Sequence, residues 1–144
     1  MKAAHRHAVE TRRLYRFEST FLHPRYAPAL NKPRSLRYLR ALAEKVWAKH
    51  GRKGAKTPQV TIVDGAPWST CAGYSQIVLA TAKNTRGNVP HDTVEVLLHE
   101  LTHALGHGTH GRGFVRRYAE LLVEYGGCDA EELRLAMLSS NLTL

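Results

Sequence analysis

The chain has 144 residues, with 21 Lys and Arg against 12 Asp and Glu, a formal net charge of +9, nine His and two Cys. A hydrophobic content of 43% excludes a wholly disordered chain, and the length suits one domain able to fold without disulfides or a structural metal. Cys71 and Cys128, with no CxxC spacing, exclude a disulfide framework and a zinc ribbon. The charged start, Met1 to Arg13, carries no apolar leader, and no apolar run approaches about 18 residues, so the expectation is a cytoplasmic, reducing location without membrane contact.

Charge divides the chain. Residues 1–56 hold 15 Lys and Arg against 3 Asp and Glu, or +12, whereas residues 57–144 hold 6 against 9, or −3. Residues 1–34 read as a basic segment ahead of a single domain at 35–144. They hold one weak helical pattern over Ala8–Phe21 and are interrupted by Pro24, Pro28 and Pro33, so either a helix or an arm on the core is expected. Arg12, Arg13, Arg16, Arg34, Arg37 and Arg40 alternate with Tyr15, Phe17 and Tyr38. This mixture suits contact with DNA phosphates and single-strand stacking, although a solvated basic surface accounts for it equally well.

Ser35 reads as the N-cap of a helix to about Lys49, with Leu36, Leu39, Leu42, Ala43, Val46 and Trp47 at helical spacing. Gln59–Val63 reads as a strand, residues 64–67 as a turn, and Gly73–Thr81 as a second strand with Ile77 and Leu79 on one face. Trp47 and Trp68 read as packing aromatics. Asn84–Val89 reads as a loop. Asp92 and Glu95 have the spacing of a capping box for a helix ending at Gly106. A glycine-rich stretch to Gly113 follows, then a helix over Phe114–Tyr125, and a last helix capped by Asp129. The pattern is α+β.

Four His fall between residues 99 and 110, two of them in His99-Glu100-Leu101-Thr102-His103, an HExxH string. Residues four apart on a helix stand about 6 Å apart on one face, so His99 and His103 can share one metal, with Glu100 beside it to hold a water. The string alone has about 0.03 chance occurrences in a chain of this composition, so context matters. At 100° per residue Leu97, Leu98, Leu101 and Leu105 gather within about 100° of arc, with both His roughly opposite. That is the pattern of a buried apolar face with exposed ligands; a solvated surface is the competing reading.

A catalytic zinc needs a third protein ligand. The glycines at 106, 108, 111 and 113 allow the chain to reverse, which favours His110 over His107, with Glu120 or Glu124 as further candidates. Cys71 is read as a small strand residue rather than a latent zinc-blocking thiol.

Val96–Ala104 followed by His110-Gly111-Arg112-Gly113-Phe114 resembles the SprT-like metallopeptidases, the group that includes Spartan, to which the WLM-type proteases are related. The strand Cys71–Leu79 resembles that family's Cys-containing strand. The likeness spans about residues 58–125, with a shorter spacer between His103 and His110 than many members have, and Thr109 departs from the metzincin pattern. It implies a minimal zincin-like fold, a small, mostly antiparallel sheet packed on the HExxH helix. It implies Zn2+ on His99, His103 and His110, with Glu100 as general base in hydrolysis of a protein or peptide substrate. It also implies that the strand from Gly73 is the sheet edge on which a substrate pairs, giving Gly73, Tyr74 and Ser75 as substrate-binding residues. His107, Arg112 and Tyr118 are candidates for a second oxyanion stabiliser. Two other functions compete: a nucleic-acid-binding module with a structural or vestigial zinc site, and a regulatory protease that cuts one repressor.

Overall fold

The structure, a computed structural model, describes residues 2–82, 85 and 89–144; the expected loop 84–89 lies mostly outside them. Its elements are α1 (Lys2–Phe17), a π-helical turn (Glu18–Leu22), α2 (His23–Leu30), α3 (Leu36–His50), β1 (Gln59–Val63), β2 (Thr70–Ala72), β3 (Gln76–Ala80), α4 (Val94–Ala104), α5 (Arg112–Gly126) and α6 (Ala130–Ser139). The class is α+β.

The sheet is mixed rather than mostly antiparallel. Its order is β1-β3-β2, with β1 parallel to β3 over five residue pairs and β2 antiparallel to β3 over three. The segment expected as one strand from Gly73 folds instead as a hairpin. Ser75 N–H donates to Ala72 C=O (3.2 Å), and the residues between, Gly73 and Tyr74, have φ of 57° and 60°, as the tight hairpin turns require. Gly73 adopts that geometry freely, whereas a tyrosine there carries a cost of about 1–2 kcal/mol. Consequently β3 is the central strand and β2 is one of the two edges, the one packed beside α4.

α3 packs on β1, and α4 packs on β2 and β3. Ile77 and Leu79, fully buried, meet Leu97, Leu98 and Leu101 of α4 in one apolar cluster. Ser35 caps α3 by accepting the Tyr38 N–H (3.1 Å). Trp47 is buried and donates to Ala55 C=O (3.0 Å). Trp68, by contrast, is exposed rather than packed.

The N-terminal segment is no loose arm. Leu14, Phe17, Leu22 and Leu30 are fully buried in the same cluster as α4 and α5. Helical geometry continues through the π-helical turn, where Ser19 and Thr20 hydroxyls donate to the Arg16 carbonyl (3.2 and 2.7 Å). Pro24 falls in the first turn of α2, where a missing N–H costs little. Burial of Phe17 removes it from any stacking surface. Exposed Tyr38 instead lies under Arg34, whose guanidinium is 4.8 Å from its ring centre.

The cap of α4 also differs from expectation. Thr93, not Asp92, accepts the Val96 N–H (3.3 Å). Glu95 does not fold back as a capping box because its buried carboxylate accepts from His23 Nε2 (2.9 Å) and Asn31 Nδ2 (2.6 Å).

Candidate metal centre

Periodicity of α4 sets His99 and His103 on one face, and the left-handed backbone at Gly106 (φ 107°) turns the chain out of the helix. The turn through residues 105–111 brings His110 back. The ligand atoms of His99, His103 and His110 all lie within 4.8 Å of one another, the one such metal-capable group among the described residues. His99 Nε2 and His110 Nε2 are 3.2 Å apart. Two imidazole nitrogens bound at 2.0–2.1 Å to one tetrahedral ion stand about 3.3–3.4 Å apart, so this pair has the spacing of two ligands on one small metal.

The other nitrogen of each ring is engaged. His103 Nδ1 donates to the His107 carbonyl (2.7 Å), which leaves its Nε2 as an acceptor. His99 Nδ1 donates to Glu18 Oε2 (3.3 Å), and His110 Nδ1 meets Thr11 Oγ1 (2.9 Å). This is the outer support that fixes imidazole tautomers at metal sites. Facing nitrogens at 3.2 Å need a shared proton or a cation between them, since two lone pairs would repel.

Glu18 is the residue that binds the centre to the core. Its Oε2 accepts both His99 Nδ1–H and the Tyr118 hydroxyl (2.8 Å). Burial drives its pKa upward, but the His99 charge, the hydrogen bonds from His99 and Tyr118, and His23 outweigh that and leave it below the usual value. On His99 burial lowers the pKa, and the Glu18 carboxylate, its hydrogen bond, Glu100 and Glu95 reverse the shift upward. Both directions describe one buried ion pair. His110 goes the other way, down to about 4, through burial first and then the charges of His99 and His103.

The expected exposure of the histidine face occurs only in part: His103 and His110 are half-buried. His99 and Glu100 are each only 7% exposed because α1 roofs them. Thr11, Tyr15 and Glu18 stand four and three residues apart, one stripe on a helix. Tyr15 lies over the centre, its ring 5.9 Å from that of His110 and 6.4 Å from that of His99. Its hydroxyl has no hydrogen-bond partner among the described residues, and burial, with Glu18 and Glu100, raises its pKa. The stripe is legible in hindsight: Glu18 is one of three acids in a strongly basic half, set beside the apolar pair Leu14 and Phe17.

A cleft of about 500 Å³ opens on the centre, walled by Tyr15, Thr70, Cys71, Tyr74 and Glu100 with the three His. Of the residues expected to bind substrate, Gly73 and Tyr74 line it. Ser75 does not, and its backbone is spent, the N–H on Ala72 and the carbonyl on the Gln59 N–H (2.9 Å). The edge facing the cleft is β2. Burial pushes the Glu100 pKa up against the lowering effect of His99, with Glu18 adding to the rise. Burial also pushes the Cys71 thiol up to about 11, and Cys71 stands outside the three-histidine group.

The remaining candidates lie elsewhere. His107 acts through its carbonyl, and its ring packs on Gly113, where an added Cβ would stand 3.0 Å from Nδ1. Glu120 pairs with Arg117 (2.9 Å), and Glu124 pairs with Lys49 and His50. Tyr118 is fully buried on Glu18, and Arg112 faces away from the cleft lining, so neither is placed to stabilise an oxyanion. No described helix is long and apolar enough to cross a membrane.

Compared with known proteins, the chain matches no family model, no curated protein and no solved structure. What stands on geometry is an α+β domain with a three-histidine group able to hold a metal ion.

Proposed function

We propose that the chain is a zinc-dependent metallopeptidase of the SprT-like kind, acting on peptide bonds of a protein substrate. The observation that carries the reading is the convergence of three oriented imidazoles with a buried carboxylate, Glu100, in one open cleft. A donor set of three imidazole nitrogens on an open cleft favours zinc, which when bound supplies Lewis acidity toward water and a carbonyl oxygen.

The chain's own residues do the rest. Glu100, its pKa raised mainly by burial, takes a proton from the attacking water at its carboxylate and returns it to the leaving amine. Tyr15, which lines the cleft with its hydroxyl unpaired among the described residues, donates to the oxygen on which negative charge develops. The free edge of β2 offers backbone groups to an extended peptide, a recognition mode that reads main chain more than side chains. Glu18, Thr11 and the His107 carbonyl hold the imidazoles in place throughout.

Glu100→Gln is expected to retain zinc at one ion per chain while hydrolysis of a casein substrate falls by about 10²–10⁴-fold. Tyr15→Phe should lower kcat with zinc content unchanged. Equal turnover by Glu100→Gln and the parent would remove the mechanism. Zinc-loaded parent protein without hydrolysis of any peptide would leave the nucleic-acid-binding module as the better account.

A further inference from the structure

A second cavity, of about 380 Å³, shares His110 as a wall with the metal cleft but opens elsewhere, between α1, the start of α5 and the C-terminal tail. Lys2, His5, Arg6, Arg13 and Arg112 line it, and Glu10 is the one carboxylate on its wall. Four permanent cations against one anion leave an excess of three positive charges around one concavity. Like charges at such range repel one another, and an anion bound among them relieves that repulsion.

The floor of the cavity adds donors. Gly111, the N-cap of α5, makes no side-chain capping bond, and both Gly111 and Arg112 face the cavity. The first N–H groups of a helix have no partner within it, and a glycine cap leaves them open to a ligand. Glu10 partly offsets this field, since its carboxylate oxygens would lie 3.7 and 3.8 Å from a Cβ at position 111. One carboxylate cannot neutralise four cations and a helix start together.

We propose that this cavity is a phosphate-binding site. Arginine guanidinium groups present paired N–H donors that match phosphate oxygens, and a helix N-terminus with basic side chains suits the same group. The size falls within the range of about 300–1,000 Å³ usual for small-ligand pockets. The phosphate can belong to a small free compound or to the backbone of a nucleic acid; the recognising chemistry is shared. The inference does not rest on the peptidase reading, and its test does not use turnover.

Inorganic phosphate is titrated into the full chain, followed by phosphorus NMR line broadening and by calorimetry. Arg6→Glu/Arg13→Glu should weaken binding at least about tenfold, as loss of charge-assisted hydrogen bonds implies. Arg37→Glu/Lys45→Glu changes net charge equally on exposed sites of α3 and should weaken binding less than about twofold. Circular dichroism establishes that both variants fold. A twelve-nucleotide single strand then separates the sources. Tighter binding than phosphate, with a salt slope reduced by about 1.4 in Arg6→Glu/Arg13→Glu, identifies nucleic acid; a strand no tighter than phosphate identifies a small phosphate compound. Absence of phosphate binding at millimolar concentration, equal weakening by both double variants, or loss of binding on metal removal alone would each overturn the site.

Discussion

The three-histidine centre has a floor and a roof, built by different physics. The floor is α4 and the turn after it. His99 and His103 meet through helical repeat, and His103 is oriented by a carbonyl only four residues away. The roof is α1 and the π-helical turn. Glu18 reaches His99 across 81 residues of sequence, Thr11 reaches His110 across 99, and Tyr118 reaches Glu18 across 100. The floor therefore owes its geometry to local backbone periodicity, while the roof exists only after the core has closed. Ligands placed by local structure are also held by distant structure, and the two contributions can be separated by mutation.

The largest effect should come from the residue that belongs to both. His99→Ala removes a ligand and strands the buried Glu18 carboxylate, a loss of about 3–5 kcal/mol in the metal-free protein, with zinc binding abolished. Urea unfolding with and without a chelator measures both. A similar destabilisation from His103→Ala, which strands no carboxylate, would contradict the special place of the Glu18 pair.

Next in size is the attachment of the roof itself. Leu14→Ala, at a fully buried position on α1, should cost about 2–5 kcal/mol, comparable with Leu98→Ala on α4. A cost under about 0.5 kcal/mol, the surface range, would make α1 a loosely docked arm.

Glu18→Gln leaves a hydrogen-bond acceptor for Tyr118 and His99 but removes the charge, and should lower zinc affinity by about 10–100-fold. Thr11→Val, which removes one neutral hydrogen bond from His110, should lower it less than Glu18→Gln does. Competition with a chromogenic chelator ranks them. Reversal of that order would place the main support of the centre on His110 rather than on His99.

The smallest effect lies beneath the roof. The hydrogen bond to Glu95 raises the pKa of His23 despite its partial burial, with the charges of Glu95 and Glu18 adding to the rise. Glu95 itself is pushed up by burial and held back by His23 and Asn31. A histidine with a raised folded pKa stabilises fully below its unfolded value of about 6.5 and loses that contribution as pH rises through the folded value. The gap in thermal midpoint between the parent and His23→Gln should therefore shrink from about pH 6 to about pH 8. A gap that widens with pH would reverse the assignment.

Much of this molecule was readable before folding. The apolar stripe of α4, the Ser35 and Asp129 caps, and the inward pair Ile77 and Leu79 all follow from spacing within a dozen residues, where a repeat of 3.6 or 2 decides the face. The preference for His110 followed from glycines that let the chain reverse. Other features were not readable because the deciding partner is remote. Glu95 has capping-box spacing, yet His23 and Asn31 claim its carboxylate. The Gly73 segment looks like one edge strand, yet pairing on both sides of β3 puts β3 in the centre and leaves β1 and β2 at the edges.

The sequence by itself determined that His99 and His103 could share a metal and favoured His110 among several third candidates, because helical repeat and glycine placement act over a few bonds. Tertiary structure alone decided how those residues are held and what approaches them. Burial against α1 turned an exposed histidine face into a roofed cleft, since only packing across some hundred residues could bring Glu18, Tyr15 and Thr11 over it.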